Sequence, residues 1–332
     1  MNHRKAIGEC QSNAHRVVPS FPLDVDQAAR PLTVGRCAVY VGTCSWADPN
    51  FVKEGGFYPR SVRSDPERRL RYYATVFPTV EVDATYHALQ SSERAAKWVR
   101  WTPPGFVFTV KAFSLCTWHA TDPKRLPPEI LTLLPSSLAA LDEVDAAQLP
   151  EEVLHAVWDY FAGFLNEFIA AGRLGHVLLQ FPKGRGYTPE LFRHLDRWEP
   201  YLRRWSVAVE IRHREWLDEP HRTELLSYLR NRGYAYVIPD MLAQAYLPTN
   251  DVEVTAPWSV VRFHGRNPAM LQRRAPTNRV YDYLYTAEEL RPWVQTVKEL
   301  GAEVERIYLL FNNHYRGQSA RNAREISAML TE

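Results

Sequence analysis

The chain has 332 residues, of which 45% are hydrophobic and 23% charged, a balance that fits a globular fold and excludes a disordered or fibrous one. Forty Lys plus Arg against thirty-eight Asp plus Glu leave a formal net charge of +2, too even for nucleic-acid binding by bulk electrostatics, so any basic surface must be local. No apolar run approaches the roughly 18 residues of a membrane helix, and Met1 to Lys5 is not followed by an apolar signal-peptide core, which predicts a cytoplasmic protein without membrane partners.

Residues 1–36 mix Ser, Asn, Pro and charge without sustained periodicity and read as a flexible extension outside the core. Cys10, Cys37, Cys44 and Cys116 show no C-x-x-C spacing, so the reading is reduced thiols with neither a zinc ribbon nor a disulfide framework. From residue 37 to 332, short apolar segments alternate with amphipathic ones, as repeated βα units around a parallel sheet require. The strand candidates are Ala38–Thr43, Thr79–Asp83, Phe106–Lys111, His176–Gln180, Ser206–Glu210, Ala235–Ile238, Ser259–Phe263 and Arg306–Phe311. Eight of them predict one α/β domain, a (β/α)8 TIM-type barrel.

Helices are expected over about 65–76, 92–101, 151–171, 189–203, 220–232, 287–300 and 319–330. Asp65-Pro66 and Thr188-Pro189 each place an N-cap before a first-turn proline, and Thr286 with Glu289 forms a capping box ahead of the Leu290/Trp293/Val297 stripe. Residues 241–257 carry two prolines and no helical period, so one barrel helix is expected to be missing or degenerate. Residues 120–150, with five prolines, are too long for an ordinary βα loop and read as an insertion over the end of the third strand, a candidate lid.

The motifs resemble a known family. They are Val41-Gly42-Thr43-Cys44-Ser45-Trp46, Phe57-Tyr58-Pro59, Tyr72-Tyr73-Ala74, Val80-Glu81-Val82-Asp83-Ala84-Thr85-Tyr86, Trp101-Thr102-Pro103, Leu179-Gln180-Phe181-Pro182, Ala208-Val209-Glu210-Ile211-Arg212-His213 and Arg262-Phe263-His264-Gly265-Arg266. With Phe311-Asn312-Asn313, Gly317, Asn322 and Ala323, they run in order over residues 38–330 and resemble the domain-of-unknown-function 72 group, the YecE-like proteins. The resemblance implies a TIM-type barrel and assigns no reaction. The departures are Asp83 and Ala84, where the family often carries Asn or Ser, and a long proline-rich insertion.

In such a barrel the site lies at the C-terminal strand ends, and alternate residues point into the lumen. With Val80 and Val82 facing the helices, Glu81 and Asp83 face inward, and the same count brings Lys111, Gln180, Glu210, Arg212, Arg262, His264 and Asn312 to the lumen or mouth. Buried charges of this kind either form an internal ion network or bind a polar, anionic small molecule. Glu210, or Glu81 with Asp83, would accept a proton, while Lys111, Arg212, Arg262 or His264 would donate one or stabilise negative charge. That points to an enzyme of the hydrolase, lyase or isomerase kind acting on a phosphorylated or sugar-like molecule.

The loops His264-Gly265-Arg266 and Asn312-Asn313 to Gly317, before a helix starting near Ser319, stand where many barrels bind phosphate; the alternative is that both glycines only permit turns and Ser319 only caps. Trp46 and Tyr86 at the rim would stack a substrate or plug the barrel end. No cofactor is expected, with a divalent metal on Glu210, Asp240 and His264 as the alternative, in a layout resembling xylose-isomerase-like or endonuclease barrels. Two further alternatives are a Cys44 nucleophile with His119 as base, and a non-enzymatic binder using the Arg/Trp-rich segment from Arg193 to Trp205; nucleic acid is not the expected partner.

Overall fold

A computed structural model of the chain describes residues 28–243, 247–248, 250–271 and 280–332. The expected extension falls outside these residues as far as position 27, and its last part forms a strand, β1 (Leu32–Val34).

Eight parallel strands follow: β2 (Cys37–Thr43), β3 (Thr79–Val82), β4 (Val107–Lys111), β5 (Leu174–Gln180), β6 (Val207–Glu210), β7 (Ala235–Asp240), β8 (Trp258–Phe263) and β9 (Arg306–Phe311). Each pairs with the next, and β9 returns to β2 in a register running from Ala38 opposite Arg306 to Thr43 opposite Phe311. The sheet is therefore closed, with every predicted strand in place, as a (β/α)8 TIM-type barrel. β3 pairs with β2 only at Gly42 and Thr43, and antiparallel β1 occupies the free lower edge of β2 opposite Cys37 to Val39.

Strand alternation sorts the side chains. Val80, Val82, Val177, Leu179, Val261 and Phe263 face outward into the main core against the helices. Leu178, Ala208, Val237, Val260, Tyr308 and Leu310 form a second core inside the barrel. Burying each such aliphatic or aromatic side chain stabilises the fold by about 1.5–3 kcal/mol.

The outer layer is α1 (Pro66–Ala74), α2 (Ser92–Trp101), α3 (Glu151–Ala170), α4 (Glu190–Arg197), α5 (His221–Arg232), α6 (Ala287–Glu303) and α7 (Gln318–Thr331). Asp65 caps α1 by accepting from the Arg68 amide, and the Thr286/Glu289 capping box starts α6 with Leu290, Trp293 and Val297 buried. The helix expected over 189–203 instead breaks at Trp198 into α4 and a turn at Glu199–Leu202. Pro200 lacks the amide that a continuous helix would need there. Among the described residues no helix joins β7 to β8, as the prolines and missing period of that segment lead one to expect.

Residues 120–150 fold into short turns at Pro123–Arg125, Pro128–Leu131 and Ser136–Ala139, closed by a bridge between Thr121 and Val144. Leu126, Ile130, Val144 and Leu149 are buried in the main core. The segment is thus packed into the domain instead of lying loosely over the strand ends. No helix among the described residues is long and apolar enough to cross a membrane.

Candidate functional site

The upper lumen holds a closed network built on Arg262, which is fully buried. Its Nε donates to Glu81 Oε2 at 3.0 Å and its Nη2 to Glu81 Oε1 at 2.5 Å, while Nη1 donates to Glu210 and, at 3.2 Å, to Gln180 Oε1. Arg212 Nε donates to the other oxygen of Glu210, and Arg212 Nη2 stands 3.0 Å from His264 Nε2. Asn312 Nδ2 lies 3.1 Å from His264 Nδ1. Seven predicted residues, from four strands and three strand ends, therefore meet as inward parity requires.

Burial opposes the charge of Glu210, yet Arg212 and Arg262 outweigh it and hold its carboxyl well below the usual range. In Glu81, burial wins over Arg262 and the pKa is raised. His264 is pushed down to about 3 by burial and then by Arg212, so it is neutral at physiological pH. Neither carboxylate has an open side toward the mouth, because both are engaged by arginines. Cys44 is also buried, with Sγ 3.6 Å from Arg262 Nη2 and its thiol raised by burial, which rules against the nucleophile reading.

Above this network lies the mouth. Lys111 Nζ sits 3.0 Å from Asp83 Oδ1 and 4.1 Å from the centre of the Tyr86 ring. Desolvation disfavours the Lys111 ammonium, but Asp83 outweighs it and the pKa is raised; the Asp83 carboxyl is lowered against its own burial by the same pair. Tyr86 meets His119 edge-on at 5.1 Å. The Thr117 hydroxyl donates to the Ser114 carbonyl at 3.3 Å, so its oxygen accepts from His119 Nδ1–H at 3.1 Å, leaving the Nε2 lone pair open.

Burial, followed by Lys111 and Arg212, pushes His119 down to about 4. Lys183, on the loop after β5, is pushed down to about 8 by burial and then by Arg212. Lys183 is not among the residues the sequence singles out, and His119 enters there only as the base of a Cys44 nucleophile, since each sits two or more residues past a strand end, where alternation no longer applies. The only signal in the sequence is a basic side chain on a βα loop.

The remaining candidates are not brought to this site. Asp240 follows Ala235, Val237 and Pro239 on the opposite parity and points out to the helix layer, where Arg266, the Tyr285 hydroxyl and the Trp293 indole bind it. It is therefore separated from Glu210 and His264, and among the described residues no group of three His, Cys, Asp or Glu side chains is placed to hold a metal ion. Arg266 is drawn by Asp240 away from the mouth after the turn at Gly265, whose φ is +79°.

Ser319 and Asn313 are fully buried, and Asn313 donates to the Tyr283 carbonyl and to Asn322. Gly317, at φ +69°, lies against the backbone of Gly55, where an added Cβ would stand 2.7 Å from the Gly55 oxygen. The expected phosphate cradle is thus filled by protein. Gly317→Ala is expected to cost about 1–3 kcal/mol of stability through this overpacking and the left-handed φ, read as a shift in denaturation midpoint. Trp46 is buried edge-on against Trp98 in the helix layer, away from the rim.

A family model described as a protein of unknown function, DUF72, matches residues 40–332. Among curated proteins the chain is similar to the UPF0759 protein YunF of Bacillus subtilis, 26% identical over 298 residues that cover 88% of this chain and 94% of that protein. A solved DUF72 family protein from Thermotoga maritima matches with a TM-score of 0.70 at 30% identity, covering 89% of this chain and 99% of that one. A second, from Enterococcus faecalis, matches with a TM-score of 0.70 at 22% identity over 89% of this chain and 96% of that chain, and shows the fold alone.

Proposed function

Because the chain belongs to the DUF72 family, whose description names no activity, we propose from its own side chains that the barrel mouth binds an anionic small molecule and moves a proton on it. The observation that carries this reading is that cations from three loops or strand ends, Lys111, Arg212 and Lys183, converge above a network that has already neutralised Glu81 and Glu210. Among the described residues Arg212 Nη1 has no hydrogen-bond partner, and Asp83 is the one carboxylate paired with Lys111. A phosphate or carboxylate group fits this field. The neutral His119 offers Nε2 as proton acceptor, and the Lys111 ammonium is the donor or the stabiliser of developing negative charge.

Titration calorimetry with inorganic phosphate and a sugar phosphate tests the proposal. Lys111→Met and Arg212→Gln are each expected to weaken binding by about tenfold. Affinity should also fall as pH rises through about 8, because Lys183 loses its charge there. Wild-type protein that binds neither probe, or binds both equally well after either substitution, overturns the reading.

A further inference from the structure

Beside the mouth, the same two loops wall a separate groove. It lies between the turn after β4, the loop after β5, α4, α3 and the Asp145–Ala147 turn of the insertion, and encloses about 490 Å³. We propose that this groove is a binding site for a flat aromatic anion.

Its volume falls in the range of small-molecule pockets, about 300–1,000 Å³. Its floor is apolar, made by Leu115, Leu154, Trp158 and Trp198, with the last two rings stacked at 5.2 Å. Trp118 supplies the wall, and three observations show that the wall is held in place. Its backbone is left-handed at φ +63°, a conformation rare for a bulky residue, and it turns the indole into the groove while the next residue, His119, meets Tyr86 at the mouth. The indole Nε1 donates to His194 Nδ1 at 3.1 Å, and His194 Nε2–H donates to the Cys116 carbonyl at 2.9 Å. Burial pushes His194 down to about 4, so it stays neutral and able to accept from the indole.

Charge comes from Arg185, whose guanidinium lies 5.5 Å from the centre of the Trp118 ring and has no ion-pair partner among the described residues. Its backbone is pinned, because the Trp216 indole donates to its carbonyl at 3.2 Å and Glu215 accepts from the Tyr187 amide at 3.2 Å. Arg193 and Arg197 add two more exposed guanidiniums at the rim, each with a single carboxylate partner, Glu190 and Glu151. A planar ring stacks on the Trp118–Arg185 pair, and its anionic group meets the arginine edge. A ring-free anion lacks the first contact and a neutral ring the second.

The test is calorimetric titration of the full-length Lys111→Met chain, in which anion binding at the mouth is weakened, with naphthoate, against inorganic phosphate and neutral naphthol as controls. One saturable site per chain for an aromatic anion, weakened about tenfold by Arg185→Gln and by Trp118→Leu, supports the proposal. Thermal melts confirm that both variants are folded. The Lys111→Met background separates this groove from the mouth, so either site can fail alone. Absence of saturable naphthoate binding in that background, equal binding of naphthol or phosphate there, or unchanged naphthoate binding after Arg185→Gln overturns it.

Discussion

Replacing Arg262 with methionine is expected to lower the unfolding free energy by about 3–5 kcal/mol, because it strands charges in a closed interior. Arg262, Glu81 and Glu210 are all fully buried, and the guanidinium is the hydrogen-bonded cation of Glu81. Glu210 keeps Arg212, whereas Glu81 loses its direct partner. The sign of the pH dependence follows. Without Arg262 the folded-state pKa of Glu81, already raised by burial, rises further above its unfolded value. Stability supplied by the protonated acid is therefore present at low pH and lost as pH rises, so the deficit of the variant should widen from acid to neutral pH. Adding Glu81→Gln to Arg262→Met should recover part of the loss, since it removes the stranded charge. Denaturant melts of the single and double variants measure this. A loss under about 1 kcal/mol for Arg262→Met would mean that water reaches the network.

Acid is expected to destabilise the wild-type protein already above the range where its carboxylates titrate. His176 and His264 are completely buried, and burial is the leading cause that pushes each to about 3. Their folded pKa values lie below that of an unfolded histidine, so the unfolded chain binds more protons. The stability they contribute is complete above about pH 6.5 and falls by about 1.4 kcal/mol per pH unit for each histidine as pH drops toward 3. Glu210 and Asp83, held low by their cations, add losses in the same direction at the acid end. Glu81 works the other way.

His176 isolates the effect. It stands between the Trp258 and Tyr308 rings with neither ring nitrogen hydrogen-bonded among the described residues. His176→Leu should flatten the pH slope by about 1.4 kcal/mol per unit and stabilise the fold modestly at neutral pH, by removing unpaired polar atoms. Urea midpoints for both proteins at several pH values supply the slopes, and parallel slopes would refute the assignment.

How far the sequence could be read depends on where alternation holds. Within strands it placed Glu81, Gln180, Glu210 and Arg262 in one lumen, because a polar residue between two outward apolar ones has only one other side to face. The reading of Asp240 failed for a definite reason. The expected strand stopped at Ile238, so the outward parity of a residue two positions later was not counted. The phosphate cradle was misread because its glycine serves a neighbour from a distant loop, Gly55, and close approach between two backbones leaves no local pattern. His119 and Lys183 lie past the strand ends, where only the three-dimensional course of the loop decides which way a side chain points.

β1 has a practical consequence. It pairs with the first residues of β2, and the amide of Ala29 just before it donates to the carbonyl of Ala74 at the end of α1. α7 runs back from the end of β9 and touches β1. Both described ends of the chain therefore lie on the face opposite the mouth and the groove. Anchoring the protein to a sensor surface through its C-terminal end leaves both candidate sites turned toward the solution, so the phosphate and naphthoate titrations can be run on immobilised protein without the support masking either site.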